Sequence, residues 1–440
     1  MSLLNNKQYK IDIKNSLGIP YNLAVDDALG LGADINVSWI DFCNKITIKQ
    51  KRYGEPSVAT LSFIMLSGNG AIGKNKKAII TFPCMIGDKV EVTILNGKHL
   101  SEYFDAAGAL ANVKQKIFVG YIWNITKKHT GEVEIVCYDL MKYLQGQRLF
   151  FSYNGGATAM QVIEQAKKAI NLGRGEPELK LKLDHTLFGM PFDTTGTAAV
   201  KIWMYDKNFI QLVNWLLNRI LVYGMVKDVG FATYLCFLMD YDTNTIQIGQ
   251  SATLGRLSTM LITEKSLMTS FEISESIESD VFNTVYYLVD TISEDIGERI
   301  PGVVAEIAST EQYGSICHYE NFSQNDFLSS DSTMTLEKVK KIAKNMVLFK
   351  CKPKTKITVK ALGNPYLHAG MQIGVKMPEG LGSGYMIDPT CSVGKNMPRV
   401  LIDEITHTIE NGKCEMEFTA SVALATYNSW TNTKAKEIEG

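Results

Sequence analysis

The first and last thirds of the chain consist of short β-strand patterns separated by turn residues, and this feature constrains the fold most. Residues Ile46–Arg52 alternate apolar and polar side chains, as a strand with one face in water does. Val58–Leu66 is more apolar and predicts a more buried strand. Asn96-Gly97 and Thr130-Gly131 are typical of tight turns. A chain with so many strands has to hide their edges, which favours a closed barrel or a sandwich.

Helical patterns appear mainly in the middle third. Thr158 and Gln161 fit a capping box, and apolar residues then recur at helical spacing as far as Ile170. A second helical pattern runs from about Asp206 to Tyr223, and a third from about Thr335 to Leu348. The sequence therefore predicts an α+β fold, mostly β, in which two strand-rich regions flank an α+β insert.

The two strand-rich regions echo each other in sequence. Gly87–Ile94 precedes a Gly-Tyr-Ile strand at Gly120, and Ala369–Met377 precedes a Gly-Tyr-Met segment at Gly384. We therefore predict a first barrel over residues 1–140, a middle domain over 141–265, a second barrel over 266–427 and a flexible tail over 428–440. Residues 99–115 interrupt the first barrel as an insertion. Residues 290–306 are acidic and predict a long hairpin or a flexible excursion.

Composition argues against a nucleic-acid or membrane protein. The 45 basic residues balance 46 acidic ones, so no overall field attracts phosphate. The longest apolar run, Phe231–Met239, is far shorter than the ~20 residues that span a bilayer. The N-terminus lacks the pattern of a signal peptide. We expect a protein without a membrane anchor that is made and folded in the cytoplasm.

No motif in the sequence predicts a catalytic, cofactor-binding or metal-binding residue. Gly68–Lys74 matches a phosphate-binding loop literally, but Asn75 replaces the expected Ser or Thr and a strand pattern follows instead of a helix. The eight cysteines form no CxxC pair, which indicates reduced, buried thiols. The six histidines form no HxH or HxxxH pair. We expect no enzyme activity, no cofactor and no metal.

Four carboxylates lie close together at Glu272, Glu275, Glu278 and Asp280. The simplest interpretation is a strand face in water. An alternative is the acidic wall of a channel, which would repel the phosphates of passing DNA. A catalytic pair is disfavoured because no deeply apolar segment that would shift a pKa lies nearby.

Several segments, in order along the chain, resemble one protein family. They include Ile117–Ile122, the junction made by Tyr138, Asp139, Tyr143 and Leu144, and the helical segment Gly156–Ile170. Three later segments follow in the matching order: Glu311–Glu320 as a strand end with a Tyr-Gly pair, Thr335–Phe349 as a helix, and Ala361–Val375. Together they are similar to the baseplate central hub proteins of contractile phage tails, of PBSX-type prophages and of tail-like bacteriocins (tailocins).

The resemblance implies two tail-tube-like β-barrel domains and a homotrimer. Two similar barrels in each of three chains would present six similar faces to a six-fold tail tube above and a three-fold central spike below. Exposed sheet edges would pair between subunits. The resemblance also implies contacts with baseplate wedge proteins and a channel for DNA or the tape-measure protein.

Two alternatives stay open at this point. One is a tail-associated peptidoglycan hydrolase, which a cell-wall turbidity assay would detect. The other is a glycan-binding tail protein, which would carry a shallow surface patch rich in aromatic residues.

Overall fold

The computed structural model describes residues 9–21, 39–64, 82–94, 115–156, 158–170, 179–188, 200–222, 235–251, 253–262, 268–277, 281–292, 297–321, 336–351, 354–364, 366–375, 399–410, 413–422 and 436–437. Several calls from the sequence lie wholly or largely outside these ranges: the loop Gly68–Lys74, the turn Asn96-Gly97, the insertion 99–115, Gly384 and the tail 428–440.

Strands from both ends of the chain form one large curled sheet. Its order is β1-β4-β5-β6-β3-β2-β19-β20-β17-β13, with β18 paired to β19 and β12 to β18. The six strands of the first part are β1 Tyr9–Lys14, β2 Cys43–Lys51, β3 Val58–Ile64, β4 Lys89–Ile94, β5 Gln115–Lys127 and β6 Glu132–Tyr138. The six of the last part are β12 Leu257–Ile262, β13 Met268–Ser276, β17 Lys354–Leu362, β18 Gln372–Val375, β19 Arg399–Glu410 and β20 Lys413–Val422.

The two parts of this sheet are joined by the antiparallel pair β2 and β19. Lys51 lies opposite Glu404 at one end of the pair, and Lys45 lies opposite Glu410 at the other. Inward side chains such as Ile46 and Ile48 in β2 are fully buried. Residues between them are partly or fully exposed, so the alternation seen in the sequence persists across the joint. Strands from the two strand-rich regions therefore share one continuous sheet, which has a dry face and, from β6 to β13, a wet face.

The middle part contains smaller sheets and most of the helices. These elements are the helices α1 Leu140–Gly146, α2 Ala159–Lys168, α3 His185–Phe188 and α4 Phe209–Val222, the sheet β10-β11-β8 (Leu235–Asp240, Thr245–Gln250, Leu181–Leu183) and the ribbon β7-β9 (Leu149–Gly156, Val200–Lys207). The predicted capping box of α2 is confirmed, since Thr158 and Gln161 cap each other's backbone N–H groups. The predicted second helix is α4.

A separate four-stranded sheet carries the third predicted helix, α6 Leu336–Lys350. Its order is β16-β14-β15-β21, with bounds Cys317–Asn321, Thr284–Ile292, Gly297–Ala305 and Lys436–Glu437. The described parts of the acidic stretch, residues 290–292 and 297–305, lie in the antiparallel pair β14–β15, which matches the predicted long hairpin. Val285 and Val304 pack with Val339 and Ala343 of α6 in a core of their own.

One local prediction was wrong. Glu311–Tyr313 was expected to end a strand, whereas these residues form the last turn of the helix α5, Ile307–Tyr313. Gly314 then adopts φ +77°, which terminates the helix, and its N–H donates to the carbonyl of Thr310. The Tyr-Gly pair therefore marks a helix end.

The predicted fold class, α+β and mostly β, is confirmed at the level of the large curled sheet. The domain boundaries remain predictions. Strands from residues 266–427 divide between the large sheet and the separate sheet that carries α6.

Candidate functional site: a polar sheet face and a buried junction

The wet face of the large sheet is continuous across both ends of the chain. One row of directly opposed residues crosses seven strands, and every member is partly or fully exposed: Tyr138, Val58, Lys49, Thr406, Glu417, Lys360 and Ser270. A neighbouring row contains Thr60, Thr47 and Thr408. Because β-branched threonine suits a strand and offers a hydroxyl to water, these rows build an extended hydrophilic wall.

Charges on this face are paired across neighbouring strands. Lys49 Nζ lies 2.6 Å from Glu404 Oε1, and Lys45 Nζ lies 3.2 Å from Glu410 Oε2. Lys360 makes the same kind of pair with Glu417 at 3.3 Å. Exposed pairs of this kind contribute only about 0–1 kcal/mol each to stability. Their main effect is to cancel the local field along the wall.

The acidic wall predicted around Glu272 is placed only in part. Glu272 is exposed on the wet face and lies opposite Thr358. The side chain of Glu275 and all of Glu278 and Asp280 lie outside the described residues. In the part of this face that the structure describes, lysines alternate with the carboxylates, so the acidic wall stays a hypothesis.

Behind the sheet, Arg52 joins three parts of the chain at one point. The guanidinium of Arg52 contacts the carboxylate of Asp403 at 2.5 Å. The backbone N–H of Arg52 donates to the backbone carbonyl of Asp403 at 2.9 Å. The N–H of Phe237, in β10 of the middle part, donates to the carbonyl of Arg52 at 2.8 Å. Arg52 is only 2% exposed, so the ion pair with Asp403 compensates a charge that is held away from water.

His368 makes a second buried connection. The amide nitrogen of Gln50 donates to the carbonyl of Ile117, so its oxygen is the acceptor that faces Nδ1 of His368 at 3.3 Å. On the other side, Nε2 of Gln115 lies 2.9 Å from Nε2 of His368 and acts as the donor. Burial, aided by the charge of Arg256, lowers the pKa of His368 to about 3. The histidine is therefore a neutral structural link at pH 7.

A polar cleft of about 270 Å³ opens at this junction. It is lined by residues that include Lys116, Lys182, Asp240, Asp242, Arg256 and His368. Arg256 donates to Gln247 Oε1 at 2.8 Å, and the N–H of Lys116 donates to Asp242 Oδ1 at 2.8 Å. These polar groups bond one another, which indicates a role in holding the three parts together.

Among the described residues, no group of three or more His, Cys, Asp and Glu side chains is placed to hold a metal ion. The seven described cysteines are free, and five of them are buried, as predicted for reduced thiols. Cys317 is exposed, while the adjacent His318 stacks on Phe282 at 4.6 Å. Sequence reasoning missed Gln50, Arg52 and His368, because their partners lie far away along the chain.

Among the described strands, the large sheet has three edge strands, β1, β13 and β12, and β12 pairs only with β18. In the described part of the chain, β1 pairs only with β4, and β13 pairs only with β17. At its end β1 is also bridged by the chain that follows it, because Pro20 lies opposite Lys14 and the N–H of Tyr21 donates to the carbonyl of Ile13 at 2.9 Å. Among the described helices, none has both the length and the apolar character needed to cross a bilayer.

The sequence profile of the YQBQ-like family matches residues 74–183 and 222–421, which together make up more than half of the chain. The chain belongs to the YQBQ-like family. No curated protein sequence matches this YQBQ-like chain.

Solved structures share the fold of the YQBQ-like chain. The tail protein of Neisseria meningitidis MC58 matches with a TM-score of 0.52 and 12% identity, covering 94% of this chain and 96% of that one. The 43 kDa tail protein of prophage MuSo2 from Shewanella oneidensis gives the same TM-score and identity, covering 94% and 98%. Since both chains are covered almost completely, the likeness extends over the whole architecture.

Proposed function

We propose that this YQBQ-like protein is the structural central hub of a contractile-tail baseplate, a homotrimer that adapts a six-fold tail tube to a three-fold spike. The observation that carries the proposal is the wet sheet face, which runs unbroken from β6 to β13 across the joint between β2 and β19. The shared fold with two tail proteins supports a tail role.

The continuous sheet suits a ring with similar faces. Each chain contributes strands from its first and last parts to one wall, so three chains supply six such contributions. The wet face would line the channel, and its paired charges suit passage of DNA or a tape-measure protein. In this arrangement the tube protein binds above, the spike below and baseplate wedge proteins outside. Assembly takes place in the bacterial cytoplasm.

Mass and shape in solution test this proposal together. We expect light scattering across a concentration series to give a trimer, and negative-stain class averages to show three-fold rings with a central pore. A stable dimer, or compact particles without a pore, would count against a hub. Peptidoglycan turbidity should stay constant when the protein is added. Clearing would favour the hydrolase alternative.

A glycan-binding function is the second candidate, because the predicted kind of aromatic patch is present. Trp123 is 41% exposed and contacts Tyr138 and Tyr143, with ring centroids 6.0 Å and 5.3 Å away. Lys142 Nζ lies 5.1 Å from the Tyr138 ring centre. Binding of cell-wall glycans that Trp123→Ala abolishes would support this function. Equal retention of wild type and variant on the glycan would contradict it.

A further inference from the structure

Two arginines are buried in the described part of the chain, and only one of them has a carboxylate partner. Arg52 is paired with Asp403. Arg256 is only 8% exposed, yet its guanidinium forms no ion pair with a carboxylate of a described residue. A buried charge without a counter-charge is costly in free energy. The surroundings of Arg256 therefore need a closer description.

The guanidinium of Arg256 has hydrogen-bonding capacity left. Its Nε donates to Gln247 Oε1 at 2.8 Å, and its Nη1 donates to the carbonyl of Ala369 at 3.4 Å. These contacts use only part of the donors of a guanidinium, and Nη2 has no acceptor among the described residues. Burial lowers the pKa of Arg256 despite the nearby charge of Asp240. The protein around Arg256 therefore compensates its charge only in part.

Lys182 brings a second positive charge to the same place. Its Nζ donates at 3.2 Å to the carbonyl of Leu254, which lies shortly before Arg256 in the chain. Lys182 is exposed and forms no ion pair with a described residue, and its ammonium group has further N–H donors. Both cations line the polar cleft of about 270 Å³ that opens at the buried junction. They are therefore within reach of the same small ligand.

The two carboxylates in the cleft are already engaged by donors of this chain. Asp240 accepts from the hydroxyl of Thr243 at 2.7 Å and from the amide of Gln247 at 2.9 Å. Its other oxygen accepts from the N–H of Asp242 at 3.3 Å. Asp242 in turn accepts from the N–H of Lys116 at 2.8 Å. These contacts leave the two cations, rather than the carboxylates, with most of the unused capacity.

The charges along the cleft favour a ligand with one negative charge. The charged residues of the lining are three basic and two acidic ones: Lys116, Lys182, Arg256, Asp240 and Asp242. The Nζ of Lys116 lies 3.3 Å from Glu91, which is not part of the lining, so Arg256 and Lys182 are the cations left for a ligand. A planar carboxylate can accept two N–H bonds from one guanidinium. A phosphate with two charges would be repelled more strongly by the two aspartates.

We propose that this cleft binds the carboxylate group of a small organic molecule, held by the guanidinium of Arg256 and the ammonium of Lys182. The ligand would supply the counter-charge that Arg256 lacks among the described residues. A cleft of about 270 Å³ also has room for the rest of a small molecule. Because the cleft lies where the three parts of the chain meet, a bound carboxylate would stabilise the folded chain. The inference does not depend on the proposed trimer.

The first test is the melting temperature of the full chain in a titration with acetate, with chloride at the same ionic strength as the reference. We expect acetate to raise the melting temperature in a saturable way, and chloride to have no such effect. Lys182→Met changes an exposed side chain, so it should fold, and it should weaken acetate binding by about tenfold through the loss of a charged donor. Lys356→Met, at an exposed position of β17, is the matched control and should bind acetate as wild type does.

The second test changes the arginine and the ligand. Arg256→Lys keeps the positive charge and removes the planar fork, so it should also weaken acetate binding, with its circular dichroism as the check on folding. Inorganic phosphate is the competing probe, and tighter binding of phosphate than of acetate would overturn the carboxylate assignment. N-acetyl-triglycine and its C-terminal amide test the source of the carboxylate. Much tighter binding of the peptide acid than of acetate would assign the cleft to the chain end of another protein and overturn the small-molecule ligand.

The outcomes separate this inference from the proposed function. A wild-type chain that responds to acetate no more than to chloride would overturn the site. Equal acetate affinity in wild type, Lys182→Met and Arg256→Lys would also overturn it, because acetate would then bind elsewhere. Neither result bears on the hub, which the mass and shape of the particle in solution decide.

Discussion

At the scale of single residues, the buried junction depends on positions that tolerate no larger side chain. Gly370 adopts φ +79°, and a Cβ added there would lie 2.4 Å from Cδ2 of the buried Leu238. Its carbonyl accepts from the hydroxyl of Ser251 at 2.8 Å, and its N–H donates to Ile402 at 2.8 Å. The glycine thus lets the last part of the chain approach the middle part closely.

We expect Gly370→Ala to destabilise the protein by about 2–4 kcal/mol, because it adds a steric clash to the strain of a positive φ. Gly18→Ala is the matched control, since φ is +77° there but no atom lies within 4 Å of the added Cβ. It should cost about 1 kcal/mol. Urea unfolding of both variants measures the difference, and equal losses would show that the close approach is unimportant.

His368 gives a pH dependence of known sign. Its folded pKa of about 3 lies below the ordinary histidine value of 6.5, so below pH 6.5 the unfolded chain binds a proton that the folded chain excludes. Stability should therefore fall with acidification, by about 1.4 kcal/mol per pH unit for this group. The residues facing the ring are Gln50, Gln115, Arg256 and His407.

The variant His368→Gln should flatten this pH dependence between pH 6.5 and 4. His129→Gln, at an exposed position, should leave it unchanged. Thermal melting across this pH range measures both slopes. The role of His368 is refuted if the two variants show the wild-type slope alike.

At the scale of single elements, helix α1 begins on a buried carboxyl group. Asp139 Oδ1 accepts from the N–H of Met141 at 3.1 Å, and the hydroxyl of Tyr241 donates to Oδ2 at 3.3 Å. Burial raises the pKa of Asp139 to about 7. The cap therefore ties the end of the first strand region to the middle part and is sensitive to pH.

We expect Asp139→Asn to keep the cap and remove the titration. Because the pKa of Asp139 is higher in the folded chain, the free energy of unfolding falls as pH rises from about 4, the pKa in the unfolded chain, towards 7. The Asn variant does not titrate, so at pH 8 it should be more stable relative to wild type than it is at low pH. Asp139→Ala removes the cap and should cost about 1–2 kcal/mol at pH 6. Melting temperatures of both variants at pH 6 and pH 8 test these expectations. If the difference in melting temperature between Asp139→Asn and wild type is the same at both pH values, Asp139 does not titrate as expected.

Elements with local signals were predictable, and long-range pairings were not. The capping box Thr158/Gln161 and the alternation in β2 depend only on residues that are close together in the sequence, so both were predicted. The pairing of Lys51 with Glu404 leaves no local trace, because any strand with a wet face could supply such a partner. For the same reason the sequence did not predict that one sheet joins the two strand-rich parts.

At the scale of the whole molecule, β2 couples the two ends of the chain. It pairs with β3 on one side and with β19 on the other, and its Ile48 is fully buried. Damage to β2 should therefore spread in both directions. The separate sheet with α6 has its own core around Val285 and should respond independently.

We expect Ile48→Ala to cost about 2–5 kcal/mol through the cavity it leaves. In native-state hydrogen exchange, it should lower protection in both β3 and β20. Val285→Ala should lower protection in β14 and β15 while leaving the large sheet unchanged. Loss of protection confined to residues before 140 in Ile48→Ala would show that the two ends unfold separately.

The pairing of β2 with β19 also sets the order of events during synthesis. The last residues of β19 leave the ribosome some 350 residues after β2, and at about 5–20 residues per second this delay is roughly 20–70 s. Throughout that interval, the partner strand for one flank of β2 has not yet been synthesised. The exposed flank of β2 can therefore pair with a wrong strand until translation is nearly complete. Synthesis of β19, in the final third of the chain, ends this risk.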